Sequence, residues 1–205
     1  MKRIFVFFLS IIFLIWWVEA YTSSQFLAAK ILWDQDIIVK QTSVNLYNLD
    51  KTMTRKEFMK VLANKVWDEI ANECDYEFRD VRNDWGCKYI EWAMKKAFVA
   101  QDEYFRPNEA MTKAEAMKLI LKVRNIERIQ KTSDWRDDDM ETAFQKWIID
   151  LEYSDYDSTA TRGWIFEALA TEEGLYIEKA EAEYQATLHN IRKHRFHRDM
   201  LLNIN

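Results

Sequence analysis

Three cations recur at one kind of place in this chain. Arg55, Lys113 and Arg162 each follow a threonine, Thr54, Thr112 or Thr161, that opens an apolar run. Threonine is a good helix N-cap because its hydroxyl can accept from an unpaired first-turn N–H. A cation at that point opposes the helix dipole, so its recurrence calls for a reason. Beside free backbone N–H groups, such a cation makes an anion site held by charge-assisted hydrogen bonds. The bland alternative is that residues at helix starts are exposed and often charged.

The remaining groups with chemical potential read as structural. His189, His194 and His197 share a stretch with Arg192, Lys193, Arg195 and Arg198. That run suits a basic helix end complementing the dipole better than a weak metal site, and it could touch an anionic polymer or lipid head groups. The acidic run Asp134, Asp137, Asp138, Asp139 and Glu141 lacks the glycine and terminal glutamate spacing of an EF-hand loop. Carboxylates at a helix start account for it. Asp34, Asp36 and Glu172-Glu173 read as solvated faces. There is no Gly-rich phosphate loop, His-Glu-x-x-His or Gly-x-Ser-x-Gly. We therefore expect no catalytic residues, no cofactor and no metal site. A net charge of -5 excludes a generic nucleic-acid binder.

The elements that must position these residues are helical. The chain has 205 residues, 49% of them hydrophobic and 31% charged, so a packed core is expected. Three glycines and one proline are too few for an all-β sandwich. An aromatic share of 15% suits core filling first and stacking on sugar faces second. The expected fold is all-α.

Residues 73–127 give the clearest unit: helix, loop, helix. Tyr89, Ile90, Ala93, Met94 and Ala97 fall on one helical face. Pro107 and Asn108 halt any helix before Thr112, and Glu115 completes a capping box with it. Ala116, Leu119, Ile120 and Val123 continue as an apolar stripe. Residues 21–72 form a divergent counterpart. Leu27, Ala28, Ile31, Leu32 and Trp33 form the first face, Thr54 and Glu57 a second capping box, and Val61, Leu62 and Val66 the second stripe. Residues 128–173 form a third, with Trp135, Ala143, Phe144, Trp147 and Ile148 in its first helix. There Trp164 replaces the capping-box Glu, and Gly163 weakens the first turn. The caps lie 58 and then 49 residues apart, so these are diverged repeats with insertions.

The ends carry separate expectations. Residues 1–20 have a Lys2-Arg3 start, an apolar run from Ile4 to Val18 and a Val18-Glu19-Ala20 cleavage site, the pattern of an export signal. An uncleaved membrane anchor is the alternative. Residues 174–205 read as a long amphipathic helix with Ile177, Ala180, Tyr184, Leu188 and Ile191 on one stripe. It packs back on the repeats or recruits a protein partner. Export places Cys74 and Cys87 in an oxidising compartment, where a disulfide is favoured over two buried thiols.

The ordered motifs of the central unit resemble the S-layer homology family. They are Phe78-Arg79-Asp80-Val81, the Tyr89-Ile90 helix, Phe105-Arg106-Pro107-Asn108 and Thr112-Lys113-Ala114-Glu115. The resemblance implies three helix-loop-helix repeats in a pseudo-threefold arrangement on an exported protein of the cell surface. It implies non-covalent binding of anionic, often pyruvylated, cell-wall polysaccharide. It also carries the binding role to Arg55, to Lys113 with the charge kept and the bidentate fork lost, and to Arg162 within a degraded motif. The other class of reading is an envelope structural or interaction protein working through its C-terminal helix.

Overall fold

The computed structural model describes residues 23–149 and 155–171. The expectations for residues 1–20 and 174–205, including the three histidines, lie outside them. The described chain is all-α, with helices α1 (Ser23–Asp34), α2 (Arg55–Val66), α3 (Cys87–Lys95), α4 (Lys113–Val123), α5 (Trp135–Gln145) and α6 (Arg162–Ala170). A short 3-10 turn spans Val44–Tyr47. Among the described residues, no helix is long and apolar enough to cross a membrane.

The helix starts follow the threonine signals. Thr112 Oγ1 accepts from Glu115 N at 3.2 Å, and Glu115 Oε2 accepts from Thr112 N at 3.1 Å. The same reciprocal arrangement stands at Thr54 and Glu57. There the returning bond, Thr54 N to Glu57 Oε2, is 3.0 Å, while Thr54 Oγ1 faces the amide outside hydrogen-bond geometry. Thr161 accepts from Trp164 N at 3.2 Å, and the tryptophan cannot answer.

Gly163 has a role beyond a weak first turn. Its N–H donates to Leu49 O at 2.8 Å, and an added Cβ would sit 2.5 Å from the Gln25 side chain and 3.0 Å from that carbonyl. The glycine lets α6 approach α1 and the backbone at Leu49 closely.

The helices pack as α2 on α3, α4 on α5, and α6 on α1. This is offset by one helix from the hairpins expected within each repeat. An apolar stripe says that a helix has a face to cover, not which neighbour covers it. At the centre, three short segments close a ring of backbone hydrogen bonds. Met111 N donates to Met53 O (3.0 Å), Ala160 N to Met111 O (2.8 Å) and Met53 N to Ala160 O (3.3 Å). All three residues are buried. Bridges between Thr54 and Ala110, Thr112 and Thr159, and Thr161 and Thr52 repeat the same cycle.

The core runs through Phe58, Met59 and Leu62 of α2, Ile90 and Ala93 of α3, Met117 and Ile120 of α4, Met140 of α5, Ile165 and Phe166 of α6, and Ala28 and Leu32 of α1. Four stripe residues depart from expectation: Val66, Ala97, Phe144 and Trp147 are exposed. Trp147 has left the helical stripe altogether, because it takes a left-handed backbone (φ 58) just past the end of α5.

Candidate functional site

The three cations occupy one position on this ring. Arg55, Lys113 and Arg162 are the first residues of α2, α4 and α6. Their backbone amides donate to equivalent carbonyls of the neighbouring segment: Arg55 to Glu109 (2.9 Å), Lys113 to Ser158 (2.9 Å) and Arg162 to Lys51 (2.8 Å). The next amides do the same, Lys56 to Pro107, Ala114 to Tyr156 and Gly163 to Leu49. This corrects one expectation. The first-turn N–H groups are not free to cradle an anion, because the ring uses them. Any anion here must be held by side chains.

The side chains are arranged cyclically too. Arg55 Nη1 reaches Glu115 Oε1 at 3.1 Å, and Arg162 Nη2 reaches Glu57 Oε1 at 2.6 Å. Each acceptor is the capping-box glutamate of the neighbouring helix. The corresponding position facing Lys113 is Trp164, so no such glutamate exists. Lys113 Nζ turns instead to Asp155 Oδ2 at 3.2 Å. The Lys113 side chain is 25% exposed and that of Asp155 74%, so this pair is the most solvated of the three. Hydrogen bonding from Ser158, and then from Lys113, lowers the Asp155 carboxyl below its usual value.

Arg55 is the most enclosed of the three cations, its side chain 16% exposed. Its Nε donates to Phe105 O at 2.9 Å, and the guanidinium lies 4.7 Å from the centre of the Phe105 ring. Burial lowers its pKa, while Glu115 pulls the other way. A guanidinium has five N–H donors. Arg162 uses one nitrogen on Glu57, and Arg55 directs two nitrogens to protein acceptors, so donor capacity remains on both.

The signature residues 78–108 hold this geometry in place. Asp80 accepts from the backbone N–H groups of Phe105 (2.9 Å) and Arg106 (2.6 Å), and Phe78 meets Phe105 edge-on at 5.6 Å. The carbonyl of Phe105 is thereby aimed at Arg55. In the sequence these residues mark a repeat, and their spacing alone does not say that Asp80 grips the Phe105 loop.

The Cys74–Cys87 disulfide is present. Glu91, buried on α3, accepts from Asp75 N (2.8 Å) and Glu77 N (3.1 Å), which ties the same loop down. Cys74, Cys87 and Glu91 bring three potential ligand atoms together, but the two sulfurs are bonded to each other. The acidic run serves structure instead. Asp134 caps α5 through Arg136 N at 2.9 Å, and Asp138 accepts from Lys131 N and Thr132 N. Backbone hydrogen bonding from Lys131 holds the Asp138 carboxyl below its ordinary value. Sequence reasoning missed that Asp138 and Asp139 are buried.

Two surface depressions lie away from the cations. One is bounded by the disulfide, Tyr76 and Trp85, and the other by Asn125, Ile129 and Lys146. The expected grooves beside Arg55, Lys113 and Arg162 are not among these depressions.

Residues 77–117 match the family model for the S-layer homology domain. The match includes Phe78, Asp80, Pro107, Thr112, Lys113 and Glu115, whereas Arg55 and Arg162 lie outside it. Domains of this family generally serve as cell-surface binding modules that attach to the cell wall. Comparison with curated proteins finds no match.

Proposed function

We propose that this chain, whose residues 77–117 match the S-layer homology domain, is an exported anchor that binds anionic cell-wall polysaccharide non-covalently and without turnover. Pyruvylated sugars are the ligand class that the family resemblance implies. Three diverged repeats related by a rough threefold rotation form the module, and Arg55, Lys113 and Arg162 contribute the charge. The reading is supported above all by one observation: the three cations share one position in a closed backbone ring, and one of them lies inside the family match.

Charge-assisted hydrogen bonds from these side chains are the proposed mechanism. Lys113 is the best placed, because its carboxylate partner is exposed and a ligand carboxylate can displace it. Arg55 and Arg162 contribute the donors left over from their internal pairs. Those internal pairs also favour a second reading, in which the two arginines only lock the fold and the protein is an envelope interaction partner acting through residues 174–205.

Co-sedimentation with purified bacterial cell walls separates the two. Under the first reading, Arg55→Ala plus Lys113→Ala abolishes binding while the variant remains folded by circular dichroism. Unchanged sedimentation of that folded variant selects the second.

A further inference from the structure

The loop before α3 carries a concave surface that the three cations do not line. It is a depression of roughly 570 Å³, walled by the Cys74–Cys87 disulfide, Tyr76 and Trp85, with Asn72, Asn83 and Lys88 at its edges. That size falls in the range of small-molecule sites. Trp85 is 51% exposed and Tyr76 49%, a large display for side chains that normally bury their rings.

Both rings stand on a fixed frame. Trp85 meets Tyr89 edge-on at 6.3 Å, and the ammonium groups of Lys56 and Lys60 lie 5.3 and 5.8 Å from its ring centre. Asp84 accepts from Gly86 N and from Lys56 Nζ, each at 2.8 Å. The disulfide and Glu91 hold the opposite wall. Tyr76 and Asn83 take left-handed backbone conformations (φ 58 and 60), which are uncommon for residues with a Cβ and cluster at ligand sites. A surface so constrained loses little entropy on binding.

We infer that this depression is a stacking subsite for a neutral sugar ring of the same wall polymer. Trp85 and Tyr76 offer flat apolar faces to the C–H face of a pyranose. The amides of Asn72 and Asn83 offer both donors and acceptors to its hydroxyls. Of the charges that line the depression, Asp84 is paired with Lys56 and Glu73 is offset in number by Lys88, while Lys60 lies beside the Trp85 ring outside that lining. Balanced charge suits a neutral ring, and polar groups between the aromatics suit a sugar better than an apolar protein face. Lys56, beneath Trp85, directly follows Arg55 on α2, so one polymer can touch both regions.

The inference rests on the wall-anchoring reading, and its test keeps the two apart. Wall co-sedimentation of the full chain is measured for wild type, Trp85→Ala, Trp85→Phe and Asn83→Gly, at low and high salt, with thermal melts to confirm folding. Glycine suits the left-handed position, so Asn83→Gly removes the amide without straining the loop.

Trp85→Ala should weaken binding roughly tenfold, the effect of truncating an aromatic anchor. Asn83→Gly should weaken it several-fold, and Trp85→Phe should retain most of it. The Trp85→Ala factor should persist at high salt. If wild type sediments but Trp85→Ala and Asn83→Gly do so equally well, the subsite falls and the anchoring reading stands. A factor that vanishes at high salt also overturns the subsite, because the ring would then act only through Lys56 and Lys60. If wild type itself fails to sediment, both fall.

Discussion

Arg162 Nη2 lies 2.6 Å from Glu57 Oε1, although 105 residues separate them in the chain. This contact joins the last described helix to the second and is one of two pairs of cation and capping-box glutamate, the other being Arg55 with Glu115. Glu57 has two duties, since it also accepts from Thr54 N at 3.0 Å. Glu57→Ala should therefore destabilise the fold by about 1–2 kcal/mol, the usual cost of a lost cap with a partly screened charge pair added. Glu57→Gln, which keeps the capping acceptor, should cost about half that. Urea denaturation checks both: a Glu57→Gln midpoint equal to wild type would rule out a contribution from the charge, and equal midpoints for the two variants would rule out one from the cap.

The disulfide makes a second prediction. It closes a sequence separation of 13 residues around Phe78, Asp80 and Val81. Cys74→Ser plus Cys87→Ser should lower stability by roughly 3 kcal/mol in the chain-entropy account of such a loop. Non-reducing mass spectrometry verifies the bridge, and denaturant melts with and without reductant measure its effect. No change on reduction would mean that Glu91 and the packed Phe78 hold the loop unaided.

How much of this was legible beforehand varies by level. The starts of α2, α4 and α6 were readable because Thr-x-x-Glu is local chemistry, and even the degraded Thr161 cap forms. The pairing of Cys74 with Cys87 was readable because only two cysteines exist. The pairing of α6 with α1 was not, since apolar periodicity carries no address. Nor was the occupation of the first-turn amides: their acceptors, Glu109, Ser158 and Lys51, are distant in sequence and become neighbours only when the ring closes. Gly163 read as a weakness because helix propensity is local, whereas its cause, Gln25 and Leu49, is tertiary.

Gly86, the N-cap of α3, tests the packing of α3 on α2. A Cβ there would sit 2.7 Å from Lys56 Cβ, an atom fixed close to the α2 backbone. Gly86→Ala should cost about 1–3 kcal/mol as an overpacked contact. Lys56→Gly in the same chain should recover part of that deficit, as a double-mutant cycle would reveal. Additive losses in the cycle would place the strain elsewhere.

Asp139 predicts a pH dependence. It is buried on α5, its Oδ2 has no hydrogen-bond partner, and Arg128 Nε approaches its Oδ1 only to 3.6 Å. Burial pushes its carboxyl above the ordinary aspartate value, Arg128 and Lys118 oppose that, and Asp138 adds to it. A carboxyl raised in the folded state binds its proton more tightly folded than unfolded. Its stabilising contribution is full below the ordinary aspartate pKa and is lost as pH rises through the folded value. Asp139→Asn should therefore melt higher than wild type at neutral pH, with the gap shrinking as the solution is acidified. A gap that is constant with pH would show that desolvation of the charge is not its origin.

Trp164 is the substitution that breaks the cycle, and restoring the glutamate should change function more than stability. Glu57 and Glu115 each accept from their own N-cap amide and from a cation of the neighbouring segment. Trp164→Glu would give Thr161 N–H the same acceptor and would offer Lys113 a second carboxylate. The new cap contributes about 1 kcal/mol. Loss of the partly buried indole offsets it by a similar amount, about 1–2 kcal/mol, so the melting temperature should move little. Wall binding should weaken several-fold, because the cation whose present partner is the most exposed becomes engaged internally. Asp155→Asn should act in the opposite direction, releasing Lys113 and tightening binding. Co-sedimentation isotherms for the two variants decide the matter: if Trp164→Glu binds as well as wild type and Asp155→Asn no better, Lys113 is not where the polymer docks.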